Sequence, residues 1–235
     1  MQFIESSVLG VRSARLGFAS SASGARITLF PMVHVGEPEF YRATYEDAFA
    51  HDVVLFEGVR SPIATRVTRS YRWLLGSRAM AGLVLQPRLP APSRAMRIIH
   101  ADLSADEFAA EWKAVPWWLR AAIYFLAPVV GLRRRWFATR SDLAKDMQCE
   151  DQPSLAELLA MTPETGALTQ AILDARDQRL LECLRAELDA DPFRPITIAI
   201  VYGAAHMRAV VRELTTRRDF HVASAEWRTL MTITG

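Results

Sequence analysis

Cysteine is scarce in this chain, which removes several kinds of protein at once. Only Cys149 and Cys183 occur in 235 residues, and they form no zinc, redox or disulfide-framework pattern. Two such cysteines suit a reducing compartment. Long hydrophobic runs are also lacking. The most apolar stretch, Ala121 to Leu132, is bracketed by Arg120 and by Arg133, Arg134 and Arg135. It falls short of the ~20 residues that a spanning helix needs, so a buried or interfacial helix is expected. The N-terminus has no basic segment followed by an apolar one, so no signal peptide is expected. Charge of one sign is not in excess. A net charge of +2 gives no argument for nucleic-acid binding. Nor does the chain contain G-x-S-x-G, H-E-x-x-H, a phosphate-binding loop or a dinucleotide glycine pattern, so none of those signatures assigns a chemistry.

What is present is apolar substance. Hydrophobic residues make up 51% of the chain, enough to build a core without disulfides or metal. The first section reads as strand, helix, strand. Arg26 to Phe30 is rich in β-formers. Pro38 suits a first helical turn, with Phe40, Tyr41, Tyr45 and Ala48 at helical spacing up to Ala50. Val53 to Phe56 is a second buried strand. Two strands joined this way make a parallel crossover. The last section mirrors it: a helix from Ala167 to Leu188, and an unbroken apolar strand from Ile196 to Tyr202 that Gly203 ends. A helix follows from about Ala205. Phe220 to Ala225 and Leu230 to Ile233 read as closing strands. The expected fold is therefore α/β, a mixed, partly parallel central sheet flanked by helices. Residues 1–235 form one domain, and residues 59–150 are a helical, Arg/Trp-rich insertion within it.

Three chemistry-bearing residues follow the strands: His34, Glu57 and His206. Open α/β sheets bind ligands outside the carboxyl ends of their strands, so these side chains converge if the strands are parallel neighbours. His206 lies near a helix N-terminus, where the macrodipole disfavours a second proton, and Gly203 before it permits close backbone approach. His34 precedes Gly36 and also fits a plain turn. Glu57 ends a buried strand, where a carboxylate needs a partner; an arginine salt bridge or a metal would serve. On the long helix, Asp177 falls amid Leu173, Leu180, Leu181, Leu184 and Leu188, with Arg176 on its flank. An acid so placed calls for a partner, either a core arginine or a group in the crevice. Two histidines and a carboxylate (His34, Glu57, His206) are a ligand set for a divalent Mn, Co or Zn ion, which would activate water. The same trio without metal supports acid–base hydrolysis. The residues leave both open.

PMVHVGE, DVVLFEG and VYGAAHM together resemble the TraB/PrgY/GumN family, which includes the TIKI proteins. Its markers are a G-x-x-H near the start, an acid ending the next strand, an Arg with Asn or Asp on a late helix, and a second G-x-x-H. These fall on His34, Glu57, Arg176 with Asp177, and Gly203 with His206. GLVLQ and HADLSADEF also match, which adds Gln86 and Asp102. The likeness spans about Ile27 to Leu214. It departs from the family at Pro31, where the family usually has Gly, which reduces backbone freedom in the first motif. The resemblance implies a fold like that of the erythromycin esterases and the ChaN-type haem-binding lipoproteins, and a metal-dependent, peptidase-like activity.

Between the halves, Val59 to Arg140 holds thirteen Arg and one Lys against two Asp and two Glu, a local excess of +10. It also holds Trp73, Trp112, Trp117, Trp118 and Trp136, five of the six tryptophans. Arg66, Arg69 and Arg72 form a basic stripe. Trp and Arg around an apolar run suit an anionic membrane interface. An ordinary helical cap with its tryptophans inside is the alternative, and the arginines also suit an anionic substrate.

The expected function is hydrolysis of a peptide or ester, with or without a divalent metal. His34, Glu57, Arg176 and His206 would be catalytic, and Arg176, Asp177 and Gly203 would hold substrate. The alternative is a non-catalytic regulatory or binding protein on the same scaffold. The expected location is the cytoplasm, with peripheral membrane contact through residues 117–136. No nucleic-acid partner is expected.

Overall fold

The architecture is that of a computed structural model, which describes residues 1–59, 61–67, 69–92, 95–150, 152, 168, 173–191 and 194–233. Four parallel strands form the part of the sheet that matters for function. They are β3 (Arg26–Met32), β5 (Val53–Phe56), β7 (Arg97–His100) and β9 (Thr197–Gly203), in the spatial order β7-β5-β9-β3. β9 lies between β3 and β5, with Ile198 opposite both Ile27 and Val53. Its residues 198–202 are all buried, as a strand flanked by neighbours and covered on both faces requires. The last strand of the chain to enter this group is thus its centre. All four carboxyl ends face the same way, so the loops after them share one edge of the sheet.

Helix α1 (Pro38–Ala48) links β3 to β5. Pro38 opens it, and Phe40, Tyr41, Thr44, Tyr45 and Ala48 are buried, the face that the sequence spacing predicts. Helix α7 (Ala175–Asp189) follows several helices of the middle section, described below, and places Leu180, Leu184 and Leu188 in the core. The start expected near Ala167 falls mostly outside the described residues. After β9, a single 3-10 turn (Ala204–His206) leads into α8 (Met207–Arg217). His206 therefore caps this helix and does not sit inside it.

Antiparallel strands complete the sheet. β1 (Gln2–Ser6) and β2 (Gly10–Ser20) form an N-terminal hairpin. β2 pairs with β3 through residues 16–19 and with β10 (Phe220–Thr232) along its whole length. The two closing strands expected from the sequence are thus one. Long pairing with β2 carries the chain through the weakly β-forming Ala-Ser-Ala segment, with irregularities at Val222/Ser224 and Thr229/Met231. A two-residue strand, β8 (Cys149–Glu150), pairs with β1 at the far edge.

The middle section is largely helical, in α2 (Pro62–Val67), α3 (Arg69–Leu74), α4 (Ala105–Ala114), α5 (Trp117–Phe137) and α6 (Arg140–Met147). It is not a purely helical insertion. Residues 97–100 form the parallel edge strand β7, because Arg-Ile-Ile-His offers the sheet a short run of β-branched side chains. Two residues, Val84–Leu85 (β6), pair with β4 (Val35–Gly36). Capping boxes at Ser104/Glu107 and Thr139/Asp142 start α4 and α6 by satisfying their first free N–H groups. Among the tryptophans, Trp112 is buried while Trp117, Trp118 and Trp136 are exposed. The side chains of Arg66 and Arg69 lie outside the described residues.

Candidate functional site

The strand ends hold an acid, a guanidinium and an imidazole in direct hydrogen-bonded contact or one residue removed from it. Glu57 follows β5, and its backbone N–H donates to the Val201 carbonyl at 3.1 Å, so it stands beside β9. One carboxylate oxygen accepts from Arg176 at 2.6 Å and the other from the Gly203 N–H at 2.5 Å. Arg176, at the start of α7, also donates through Nε and Nη2 to the two oxygens of Asp102, at 2.9 and 2.8 Å. Asp102 lies just beyond β7, with its side chain fully buried. It accepts further bonds from the N–H groups of Gly58 and Leu103. The loop after β5 is held again where His100 Nε2 meets the Gly58 carbonyl oxygen at 2.7 Å.

The electrostatics follow from this network. Burial by itself would raise the pKa of Glu57. The Arg176 charge, joined by His206 and His34 at the acid pH where they are protonated, outweighs it and holds the carboxyl below its ordinary range. Burial pushes Asp102 upward too, and its bonds to Arg176 and the backbone reverse the direction. Arg176 stays cationic, because Asp102 and Glu57 overcome its burial. Two carboxylates around one guanidinium leave the cluster with a local excess of negative charge.

His206 belongs to a second unit. Its Nδ1 lies 2.6 Å from an Asp177 carboxylate oxygen, and its side chain is almost wholly buried. Asp177 and Arg176 are neighbours on α7, and they divide the site between them, one meeting the histidine and the other the carboxylates. Tyr202 links the halves: its ring packs edge-on against His206 at 4.8 Å and lies under the Arg176 guanidinium at 5.6 Å. Gly203 suits a close approach. A Cβ there would stand 3.1 Å from Glu57 Oε2 and 3.3 Å from His206 Cδ2, so carboxylate and imidazole flank the same point of β9.

His34 lies between β3 and β4, solvent-accessible at the rim. Protein crowding around the crevice lowers its pKa, Glu57 opposes that effect, and Arg176 and His206 reinforce it. It is therefore a neutral imidazole within electrostatic reach of the other three groups. Its ring leans on Tyr71 of α3 at 5.2 Å, and its carbonyl accepts from the Gln86 N–H at 2.9 Å. Pro31 does not occupy the turn before His34. It lies within β3, where its carbonyl accepts from the Ser13 hydroxyl at 2.7 Å. The β2–β3 ladder has already ended at Leu16 and Leu29, so the missing N–H leaves no ladder bond unmade.

Sequence reasoning named His34, Glu57, Arg176, Asp177, Gly203 and His206; direct bonds join Glu57 to Arg176 and Gly203, and Asp177 to His206, while His34 meets Glu57, Arg176 and His206 only through their electrostatic fields. The same reasoning gave Asp102 only minor weight and did not identify Tyr71 or Tyr202. Asp102 carried the same signal as Glu57, a carboxylate just after a short apolar strand. The two aromatics carried none, since their roles depend on which elements meet.

Of the three residues expected to hold a metal, Glu57 is committed to bonds within the protein, and His206 keeps one ring nitrogen outside its contact with Asp177. Both oxygens of Glu57 already accept bonds, one from a cation. Nδ1 of His206 is engaged by Asp177, an arrangement that orients Nε2 for a ligand or a proton. Among the described residues, no three His, Cys, Asp or Glu side chains form a group suited to holding a metal ion. Two surface clefts, of about 330 and 400 Å³, lie in the middle section, and none of the site residues lines them.

Fold and site define an α/β protein with an acid–base cluster at the carboxyl ends of its parallel strands. Set against protein-family models, curated proteins and solved structures, the chain matches none.

Proposed function

We propose that the chain is a hydrolase of peptide or ester bonds, related to the TraB/PrgY/GumN family that its sequence resembles, and working by acid–base catalysis. The observation that carries this reading is the 2.6 Å contact between His206 Nδ1 and Asp177. A carboxylate on Nδ1 fixes the ring in the Nδ1–H form and leaves Nε2 as an acceptor. In this reading His206 Nε2 takes a proton from water as the oxygen attacks the substrate carbonyl. The tetrahedral oxyanion accepts a hydrogen bond from neutral His34. The C–N or C–O bond then breaks, and the leaving group receives the proton from His206. Arg176, neutralised by Glu57 and Asp102, holds the floor of the crevice and keeps both carboxylates ionised. A divalent metal has no step in this scheme. A second reading, a non-catalytic binding protein on the same scaffold, is favoured by one observation: Glu57, Arg176 and Asp102 are committed to one another by hydrogen bonds.

The test is turnover of fluorogenic peptides and p-nitrophenyl esters by the purified chain. The expected result is turnover that chelator leaves unchanged, is abolished in His206→Asn, and falls by about 10²–10⁴ in Asp177→Asn, with unfolding midpoints near that of the parent. Equal turnover in parent and variants removes the dyad from the chemistry. Loss with chelator that Mn, Co or Zn restores would return the metal.

A further inference from the structure

Helix α5 is built inside out. A helix on a globular protein turns its apolar stripe to the core, yet Gly131 is the one buried residue of α5. Trp118, Phe125, Val129, Leu132 and Trp136 recur at spacings of seven, four, three and four, so they share one face. All five lie between 48% and 77% exposed. Arg134 and Tyr124 point the other way: Arg134 pairs with Asp146 at 2.7 Å, and Tyr124 meets Trp112 at 6.1 Å. The stripe runs roughly 27 Å along the helix, well beyond the scattered exposure usual for a soluble surface.

Charge identifies what covers it. No acidic residue occurs in α5, and exposed Arg133 and Arg135 flank the stripe. Tryptophans stand at both of its ends. A second copy on this face would bring more arginines and no acid from the same helix. An anionic lipid surface supplies both an apolar layer and phosphates for the flanking guanidinium groups. Among the described residues no single helix is long and apolar enough to cross a membrane, and α4 and α5 meet at a bend of 111°. We propose that α5 lies flat in the headgroup region of an anionic membrane, with Trp118, Phe125, Val129, Leu132 and Trp136 immersed and Arg133 on lipid phosphates, Arg135 reaching back over Gly76 beside it. This docking is independent of the hydrolase reading. The docked helix is joined to the site through one intervening helix, because α5 packs on α3, whose Tyr71 leans on His34.

Flotation of the full chain with phosphatidylcholine vesicles, with and without phosphatidylglycerol, tests this. The expected result is binding only to the anionic vesicles, weakened by salt. Phe125→Glu and Trp136→Glu should each weaken it by at least about tenfold, and Arg133→Glu likewise. These positions are exposed, so the circular dichroism spectrum and unfolding midpoint serve as fold controls. Failure to bind any vesicle, equal binding to neutral vesicles, or binding unaltered in Phe125→Glu with its fold intact would each overturn the proposal. So would a dimer in sedimentation that Phe125→Glu dissociates while the parent ignores lipid.

Discussion

At the scale of the residue, Arg176 is the group on which the site's charge balance turns. Its side chain is 11% exposed and touches two carboxylates, of which Asp102 is fully buried. Removing one partner of a buried ion pair strands the other. Arg176→Met is expected to lower unfolding free energy by about 3–5 kcal/mol, measured by denaturant titration at neutral pH. The pH dependence should change sign as well. In the parent, Glu57 and Asp102 have folded pKa values below their unfolded ones. Their contribution is therefore complete above about pH 5 and is lost as pH falls through the folded values. Without Arg176, burial raises both carboxyl groups, so the folded state binds protons more readily than the unfolded chain. Arg176→Met should then gain stability between about pH 7 and pH 5, where the parent does not. Two imidazoles act in the parent over the same range. His51 is held below the ordinary histidine value chiefly by burial, and His34 by the protein crowded around its accessible ring. The stability they contribute is present above about pH 6.5 and declines as pH falls.

At the scale of the element, β9 and the turn after it decide where chemistry can occur. A Cβ at position 203 would be crowded between Glu57 and His206. Gly203→Ala is expected to displace one of them, costing about 1–3 kcal/mol of stability and a larger share of turnover. A crystal structure showing both side chains unmoved would remove close approach as the reason for glycine. The sequence made this element plain, since an unbroken apolar run closed by Gly is a local signal. The same holds for β3, α1 and β5, whose patterns are complete within a few residues. The β1–β2 hairpin was not legible. Its second strand, Gly-Val-Arg-Ser-Ala-Arg-Leu-Gly-Phe-Ala-Ser, mixes small and polar residues, and its stability comes from β10, some two hundred positions away. Edge strand β7 was hidden for a related reason, being four residues long and pinned to β5 from within a helix-rich segment. Local pattern reports what a segment prefers, and these segments are decided by pairing.

At the scale of the whole molecule, the N-terminal and C-terminal halves are laced together by β9 between β3 and β5. That interleaving creates the crevice and also makes the site fragile to cutting. Residues 1–150 expressed alone would lack β9, α7 and α8, and with them Arg176, Asp177 and His206. Such a fragment is expected to show no cooperative unfolding transition by calorimetry, and a sharp transition would mean that the halves fold independently. How far the site was legible follows the same division. His34, Glu57 and His206 each stood at a strand end and were found singly. The partition of Arg176 to the carboxylates and Asp177 to the histidine depends on the rotation of α7 over the sheet, which side-chain spacing on one helix cannot fix.

Nitrogen-15 NMR of the imidazoles, assigned through His206→Asn, tests the central arrangement without requiring a substrate. The expected spectrum near neutral pH has His206 in the Nδ1–H form with Nε2 unprotonated, and that preference lost in Asp177→Asn. A proton residing on Nε2 in the parent would contradict it, since His206 would then hold no lone pair toward water.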